Sequence, residues 1–185
     1  MQKLAREHKN LKTEIEIVAR ALIGLDVCIL RWAGNMRIIH FGDVHKRRGS
    51  YIGEYALHIH CPWRLEGRAK MLTGFHDIYE PATTNINSDW TPEKGGRGSL
   101  QQEILEAEFK LEPDQKPKSL ATKAKRRIVS SIAGDHFGGL VVSFSGGVRI
   151  RIFPASATGE QWRLFRPGIK TARHFVVDSG NFSYD

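Results

Sequence analysis

The sequence predicts an α+β protein: a twisted antiparallel β-sheet or partly open barrel of about eight strands, with an N-terminal helix and two inserted helices. Three observations support this prediction. Apolar residues alternate with period two through much of residues 25–80 and 139–178, which is typical of β-hairpins. Helical spacing of apolar residues marks residues 3–22 and 99–133. The order of these segments, with hairpins on both sides of the inserted helices, is typical of a sheet flanked by helices.

Length and composition predict one domain over residues 1–185 that needs neither a disulfide nor a cofactor. A chain of 185 residues buries enough apolar surface for a stable core. The only cysteines, Cys28 and Cys61, lie in apolar runs, which predicts buried thiols in a reducing, cytoplasmic compartment. No apolar run approaches the roughly 18 residues of a membrane span, and the charged N-terminus lacks the apolar core of a signal peptide. We therefore expect no membrane association.

The first element is an amphipathic helix over residues 3–22. Gly24 is suited to end it, because glycine is the usual residue after a helix C-terminus. One helical face is apolar and carries Leu4, Leu11, Ile15, Val18 and Leu22.

Hairpins fill residues 25–80. The first turns at Gly34-Asn35, a pair that favours two-residue loops. The predicted register pairs Leu30 with Ile39, Trp32 with Arg37 and Cys28 with Phe41. Residues 55–61 then alternate as a half-buried strand, and weaker strands follow at 63–65 and 70–78.

A long loop and two helices separate the β-rich halves. Residues 81–98 are rich in proline, asparagine and glycine, which predicts a loop. Ser99 and Gln102 form a capping-box pattern that starts a helix ending before Pro113. A second inserted helix is expected over residues 119–133, with a basic side and an apolar stripe of Leu120, Ala124, Ile128 and Ile132.

The last third contains the clearest β pattern. A two-residue turn at Gly146-Gly147 would place Arg149 opposite Phe144 on the apolar face. A three-residue loop, residues 145–147, instead pairs Phe144 with Val148 and Val142 with Ile150. We therefore expect the longer loop, followed by short strands at 161–165 and 174–177.

No motif in the sequence identifies a catalytic site. The glycine-rich segment 93–99 precedes a helix but lacks the lysine and hydroxyl of a P-loop and the third glycine of a dinucleotide fingerprint. Ser143 and Ser145 lack the context of a nucleophile elbow. We expect no catalytic residue, and a binding protein fits the sequence better than an enzyme.

His58 and His60 are the candidate metal ligands. Two positions apart on a strand, their imidazoles project from one face and could hold a metal ion with help from neighbouring strands. Two solvent-facing histidines explain the same spacing. A metal-dependent enzyme that uses this pair is the third functional hypothesis.

Basic residues carry the main functional signal. The 28 Lys and Arg exceed the 20 Asp and Glu, which leaves a net charge of +8 and favours an acidic partner. One group of basic residues lies on the second inserted helix, and another lies on and after the strand that holds Arg149. In the long loop, the ring of Trp90 could stack on nucleic-acid bases. The candidate partner- or phosphate-binding residues are Lys123, Arg126, Arg127, Arg149, Arg151, Arg163, Arg166 and Trp90.

Two binding hypotheses follow from these residues. The leading one is a non-catalytic module that docks an acidic partner protein, by analogy with adaptor or immunity-like accessory proteins. The alternative is a nucleic-acid-binding protein that uses the basic helix and the arginine-rich strand face. The sequence leaves the oligomeric state open.

Overall fold

The structure, a computed structural model, describes residues 10–84, 90–93, 95–111 and 126–185. Over these ranges the protein is mostly β-sheet, with thirteen strands in three antiparallel sheets and a few helices. The α+β class is confirmed. The predictions of a sheet or barrel of about eight strands and of two inserted helices are wrong for these ranges.

The elements are named in chain order. The helices are α1 (Leu11–Ala19), which continues as a 3-10 turn (Arg20–Leu22), a second 3-10 helix (Phe75–Tyr79) and α2 (Leu100–Phe109). The strands are β1 (Val27–Ala33), β2 (Met36–Phe41), β3 (His45–Arg47), β4 (Ser50–Ile52), β5 (Tyr55–Ile59), β6 (Trp63–Glu66), β7 (Met71–Gly74), β8 (Val129–Gly134), β9 (Leu140–Phe144), β10 (Arg149–Ile152), β11 (Glu160–Phe165), β12 (Phe175–Asp178) and β13 (Asn181–Tyr184).

Both larger sheets mix strands from the two ends of the chain. The six-stranded sheet has the order β1-β2-β5-β11-β12-β13, and the five-stranded sheet has the order β7-β6-β10-β9-β8. Strands β3 and β4 form a separate hairpin. Because β5 pairs with β11 and β6 pairs with β10, the two β-rich halves of the sequence are joined in both sheets.

The predicted hairpin registers are largely confirmed. In the first hairpin Leu30 faces Ile39 and Trp32 faces Arg37, but a bulge after Val27 sets that residue opposite Phe41 in place of Cys28. In the later hairpin Val142 faces Ile150, and the Phe144 N–H donates to the Val148 carbonyl at 2.8 Å, as the three-residue loop requires.

The prediction of a second inserted helix is wrong for residues 126–133, the part of it that the structure describes. Residues 129–134 form β8, an edge strand that pairs with β9, and residues 119–125 lie outside the described ranges. Ile128 and Ile132 are four positions apart, and residues with that separation share a face in a helix and in a strand alike. The spacing therefore could not distinguish a helix from a strand, and pairing with β9 decided the conformation.

Other boundaries also shift. The N-terminal helix runs from Leu11 to a 3-10 turn ending at Leu22, and residues 3–9 lie outside the described ranges. The strand expected at 70–78 ends at Gly74 and gives way to the 3-10 helix, whereas β3, β4 and β13 were not predicted. Ser99 caps α2 as expected, with its side chain accepting from the Gln102 N–H. The helix ends at Phe109, before Pro113, with Lys110 in the left-handed conformation.

Both larger sheets and both α-helices contribute to one continuous hydrophobic core. Trp63 enters it from the five-stranded sheet and Trp162 from the six-stranded sheet, each at most 2% exposed. Both cysteines are buried free thiols, as expected, and burial raises their pKa to about 12. Among the described residues, no helix has the length and apolar character needed to cross a membrane.

Candidate partner-binding surface

The candidate surface starts with the alternation of side chains along β10. Ile150 and Ile152 are at most 1% exposed and belong to the core. Arg149 and Arg151 lie on the other face of the strand, where their side chains are 44% and 33% exposed. The five-stranded sheet therefore presents two arginines on its outer face, as the sequence predicted.

The neighbouring strand β6 adds two charged residues to this face. Trp63 and Leu65 are buried, so the alternating Arg64 and Glu66 face outward. Antiparallel pairing sets Glu66 opposite Arg149 and Arg64 opposite Arg151. Directly opposite side chains in an antiparallel pair are close enough to interact, so this register brings three guanidinium groups around one carboxylate.

The Glu66 carboxylate is the common ion-pair partner of these three arginines. The Arg64 Nε lies 2.6 Å from Glu66 Oε1, the Arg151 Nε lies 3.1 Å from the same oxygen, and the Arg149 Nε lies 2.9 Å from Oε2. Burial opposes ionisation of Glu66, but hydrogen bonds from Arg64 and Arg151 outweigh it and lower the pKa of this carboxyl group. Glu66 is therefore a carboxylate at neutral pH, and it balances one of the three positive charges.

A fourth arginine extends the positive charge beside the β9–β10 turn. Arg68 is exposed and follows β6, and a Cβ built at Gly147 would stand 2.9 Å from the Arg68 Cγ. The absence of a side chain at Gly147 thus lets Arg68 lie close to this turn. Within the described ranges no ion pair joins Arg68 to a carboxylate. We call Arg64, Arg68, Arg149 and Arg151, together with Glu66, the arginine face.

A surface cavity of about 370 Å³ adjoins the arginine face. Arg68 and Arg149 line it together with Ser130 and Ser143. The Ser130 hydroxyl donates to the Ser143 carbonyl at 3.2 Å, so the main donors in the cavity are the arginines, which form strong, paired bonds with carboxylates and phosphates. The cavity is therefore suited to an acidic group.

Two apolar side chains flank the arginines. Met71 on β7 is 57% exposed, and Phe153, after β10, is 36% exposed. The Arg64 guanidinium carbon lies 4.8 Å from the centre of the Phe153 ring, within cation–π range. The surface therefore offers apolar contacts as well as charge.

The basic helix of the sequence prediction is not present at Arg126 and Arg127. Arg126 donates to Asp26 at 2.6 Å in a buried pair, and Arg127 donates to both carboxylate oxygens of Glu108 at 2.8 and 2.9 Å. Both guanidinium groups are thus committed to carboxylates of the same chain. Lys123 lies outside the described ranges.

The other predicted residues lie away from the arginine face. Arg163, on the six-stranded sheet, donates to Glu160 at 2.6 Å. Arg166 follows the same strand, with its guanidinium carbon 5.5 Å from the centre of the Tyr55 ring. Trp90 is half-buried, and its indole nitrogen is buried with no hydrogen-bond acceptor among the described residues, so the ring is not freely exposed for stacking.

The candidate metal ligands make other contacts. The His58 ring packs edge-on against Phe165 at 4.9 Å, and His60 Nε2 lies 3.3 Å from Glu160 Oε1. Burial, together with the nearby charge of Arg163, lowers the pKa of His58 to about 4. No group of three His, Cys, Asp or Glu side chains within the described ranges could hold a metal ion.

Sequence reasoning missed Arg64, Glu66 and Arg68 as parts of this surface. The outward direction of Arg64 and Glu66 could be inferred from their alternation with the buried Trp63 and Leu65. Their proximity to Arg149 and Arg151 could not, because Glu66 and Arg151 are 85 positions apart in the chain. A pairing of strands this distant leaves no local pattern in the sequence.

The chain matches no protein-family model, no curated protein and no solved structure.

Proposed function

We propose that the protein is a non-catalytic binding module that docks an acidic segment of a partner protein on the arginine face. The proposal is based on one observation: three arginines contact the same carboxylate, that of Glu66. One carboxylate cannot balance three guanidinium groups, and Arg68 adds a further positive charge. Partner carboxylates that approach this surface meet an excess of forked hydrogen-bond donors.

The geometry of the ion pairs leaves donors available to a partner. All three contacts with Glu66 use the Nε atom of the arginine. The terminal nitrogens of Arg64, Arg149 and Arg151 make no hydrogen bond to other described residues. Glu66 also holds the three side chains in place, so less conformational entropy is lost when a partner binds.

The surroundings favour a protein over a nucleic acid. Interfaces between proteins combine arginine with exposed methionine and aromatic side chains, as Arg64, Met71 and Phe153 do here. The basic helix proposed for phosphate contacts is absent at Arg126 and Arg127, and both of these arginines are already paired within the chain.

The test measures binding of a fluorescein-labelled peptide rich in Asp, Glu and Leu by fluorescence anisotropy. The double variant R149Q/R151Q removes two charges from the arginine face and is expected to weaken binding by about tenfold or more, since each lost charge-assisted bond contributes on the order of 1 kcal/mol. The matched control K46Q/R48Q removes two exposed charges from the β3–β4 hairpin and should bind like the wild type.

A second variant separates binding from a purely structural role of the ion pairs. E66Q removes the negative charge at the centre of the arginine face, although the Gln oxygen can still accept hydrogen bonds from the arginines, so the acidic peptide should bind more tightly. An ion-pair cluster that only stabilises the sheet predicts no such gain. Equal binding by R149Q/R151Q and the wild type would refute the proposal.

The nucleic-acid alternative is checked with a labelled single-stranded oligonucleotide. If the protein binds nucleic acid, its affinity for the oligonucleotide must fall steeply as the salt concentration rises, because phosphate contacts release counterions. If R149Q/R151Q lowers oligonucleotide affinity and flattens its salt dependence while leaving peptide affinity unchanged, the arginine face binds nucleic acid and the protein-docking proposal is wrong.

A further inference from the structure

A second cavity, of about 480 Å³, opens on the six-stranded sheet beside α1. Its walls are apolar and aromatic and comprise Val18, Tyr55, Leu164, Phe175 and Tyr184. Cavities of roughly 300–1,000 Å³ with such linings are typical of small-molecule sites. This one is separate from the arginine face, which lies on the other large sheet.

The walls of this cavity are held by contacts within the fold. Phe175 packs against Trp162 and against Tyr184, with ring centres 5.6 and 5.4 Å apart. The Tyr184 hydroxyl donates to Glu14 on α1 at 3.0 Å, which ties the last strand to the first helix. The cavity is therefore a formed concave site that does not need a partner to create it.

Two arginines lie at this cavity, and neither is paired with a carboxylate among the described residues. Arg166 and Arg173 both line the cavity and are exposed. The guanidinium of Arg166 lies over Tyr55, so it stays beside the aromatic wall. By contrast, Arg163, close by in the chain, is paired with Glu160. The cavity thus combines an apolar interior with unbalanced positive charge.

We propose that this cavity binds a small amphipathic acid, with an aryl or alkyl body against the apolar walls and a single anionic head at Arg166 and Arg173. The apolar body supplies affinity by burial of its surface. The anionic head is recognised by guanidinium groups, which form paired hydrogen bonds with carboxylate oxygens. The cavity volume limits the body to about the size of a fused aromatic pair or a medium-length alkyl chain.

Isothermal titration calorimetry with 2-naphthylacetate tests this inference. We expect a dissociation constant of about 0.1–1 mM for a ligand of this size. The neutral analogue 2-(2-naphthyl)ethanol has nearly the same apolar body and should bind about tenfold more weakly, since it lacks the anionic head.

Two variants of the cavity distinguish its charged and apolar parts. R166Q/R173Q should weaken binding of the acid about tenfold and leave binding of the alcohol unchanged. A172W fills the cavity with a large side chain and should abolish binding of both compounds. The control K46Q/R48Q removes the same charge from the β3–β4 hairpin and should bind the acid like the wild type.

The inference fails if the acid and the alcohol bind equally to the wild type, or if R166Q/R173Q binds the acid unchanged. It also fails if K46Q/R48Q loses binding of the acid as R166Q/R173Q does, because binding then depends on the overall charge of the protein and not on this cavity. Since the two sites are probed with different ligands and different arginines, either proposal can fail without the other.

Discussion

Individual arginines in this protein have different roles that residue type does not reveal. Arg126 and Asp26 form a pair whose side chains are 4% and 11% exposed, whereas those of Arg127 and Glu108 are 25% and 23% exposed. Water screens the second pair much more than the first. The charge of Arg126 therefore depends on Asp26 for compensation in the folded state.

The variant D26N should be strongly destabilised for this reason. Removing one partner of a buried pair leaves the other charge uncompensated, which costs about 3 kcal/mol. The matched variant E108Q should lose about 1 kcal/mol or less, because Arg127 remains half-exposed. Urea unfolding measures both values, and equal losses would contradict the difference in burial.

His40 makes the stability depend on pH. Its side chain is buried, and its Nδ1 accepts a hydrogen bond from the Gly53 N–H at 3.2 Å, which requires an unprotonated nitrogen. Burial, with smaller contributions from the charges of Arg31 and His58, lowers its pKa to about 4.

Stability should therefore fall as the pH falls from about 6.5 towards 4. In this window the unfolded chain binds a proton at His40, whose ordinary pKa is about 6.5, and the folded protein does not. His40 should contribute about 2 kcal/mol to the loss between pH 7 and pH 5, and His58, whose pKa is also lowered to about 4, should add a further loss. H40N should show a smaller loss in urea unfolding across this range, while H45N, at an exposed position of β3, should match the wild type.

At the scale of elements, the cap of α2 was predictable because its determinants are adjacent in the chain. Ser99 accepts from the Gln102 N–H and also donates to the Gly96 carbonyl at 2.6 Å, so it joins α2 to the preceding loop. Asn10 accepts from the Lys12 N–H at the start of α1 but is exposed.

S99A should accordingly cost more than N10A. Loss of a side-chain cap costs about 1 kcal/mol. S99A also removes the hydroxyl bond to the Gly96 carbonyl, but this carbonyl keeps its bond from the backbone N–H of residue 99, so the added loss should be below about 1 kcal/mol. Thermal unfolding of the two variants gives the comparison. A smaller loss for S99A than for N10A would mean that the bond to Gly96 contributes little.

The strands show where local patterns stop being informative. The β9–β10 register followed from alternation alone, because a slip by one residue moves Arg149 onto the apolar face. Strand β8 was predicted as helix because its apolar spacing fits both conformations, although its partner β9 follows directly in the chain. The bulge after Val27 likewise shifted a register that a regular hairpin would have kept.

At the scale of the whole molecule, the two large sheets share a single core. Trp63 and Trp162 belong to different sheets and to the same hydrophobic cluster. The side chains of one sheet therefore lose their packing when the other sheet unfolds, which makes unfolding cooperative.

Unfolding should consequently appear as one transition at both sheets. W63F removes the tryptophan of the five-stranded sheet, so the remaining fluorescence change reports chiefly on Trp32 and Trp162 of the six-stranded sheet. The triple variant W32F/W90F/W162F keeps only Trp63, which reports on the five-stranded sheet. Midpoints from fluorescence and from far-UV circular dichroism should coincide within each variant. Separate midpoints for the two probes would show that the sheets unfold independently.

The sequence by itself determined the features that depend on neighbours along the chain: the α+β class, the hairpin loops, the start of α2 and the outward direction of Arg149 and Arg151. Only the tertiary structure decided which charges meet. Pairing of β6 with β10 brought Arg64 and Glu66 to those two arginines, while Asp26, Glu108 and Glu160 paired with arginines that the sequence had marked as free for a partner. The physical reason is that an arginine's availability depends on the nearest carboxylate in space, and distant strand pairing sets that distance.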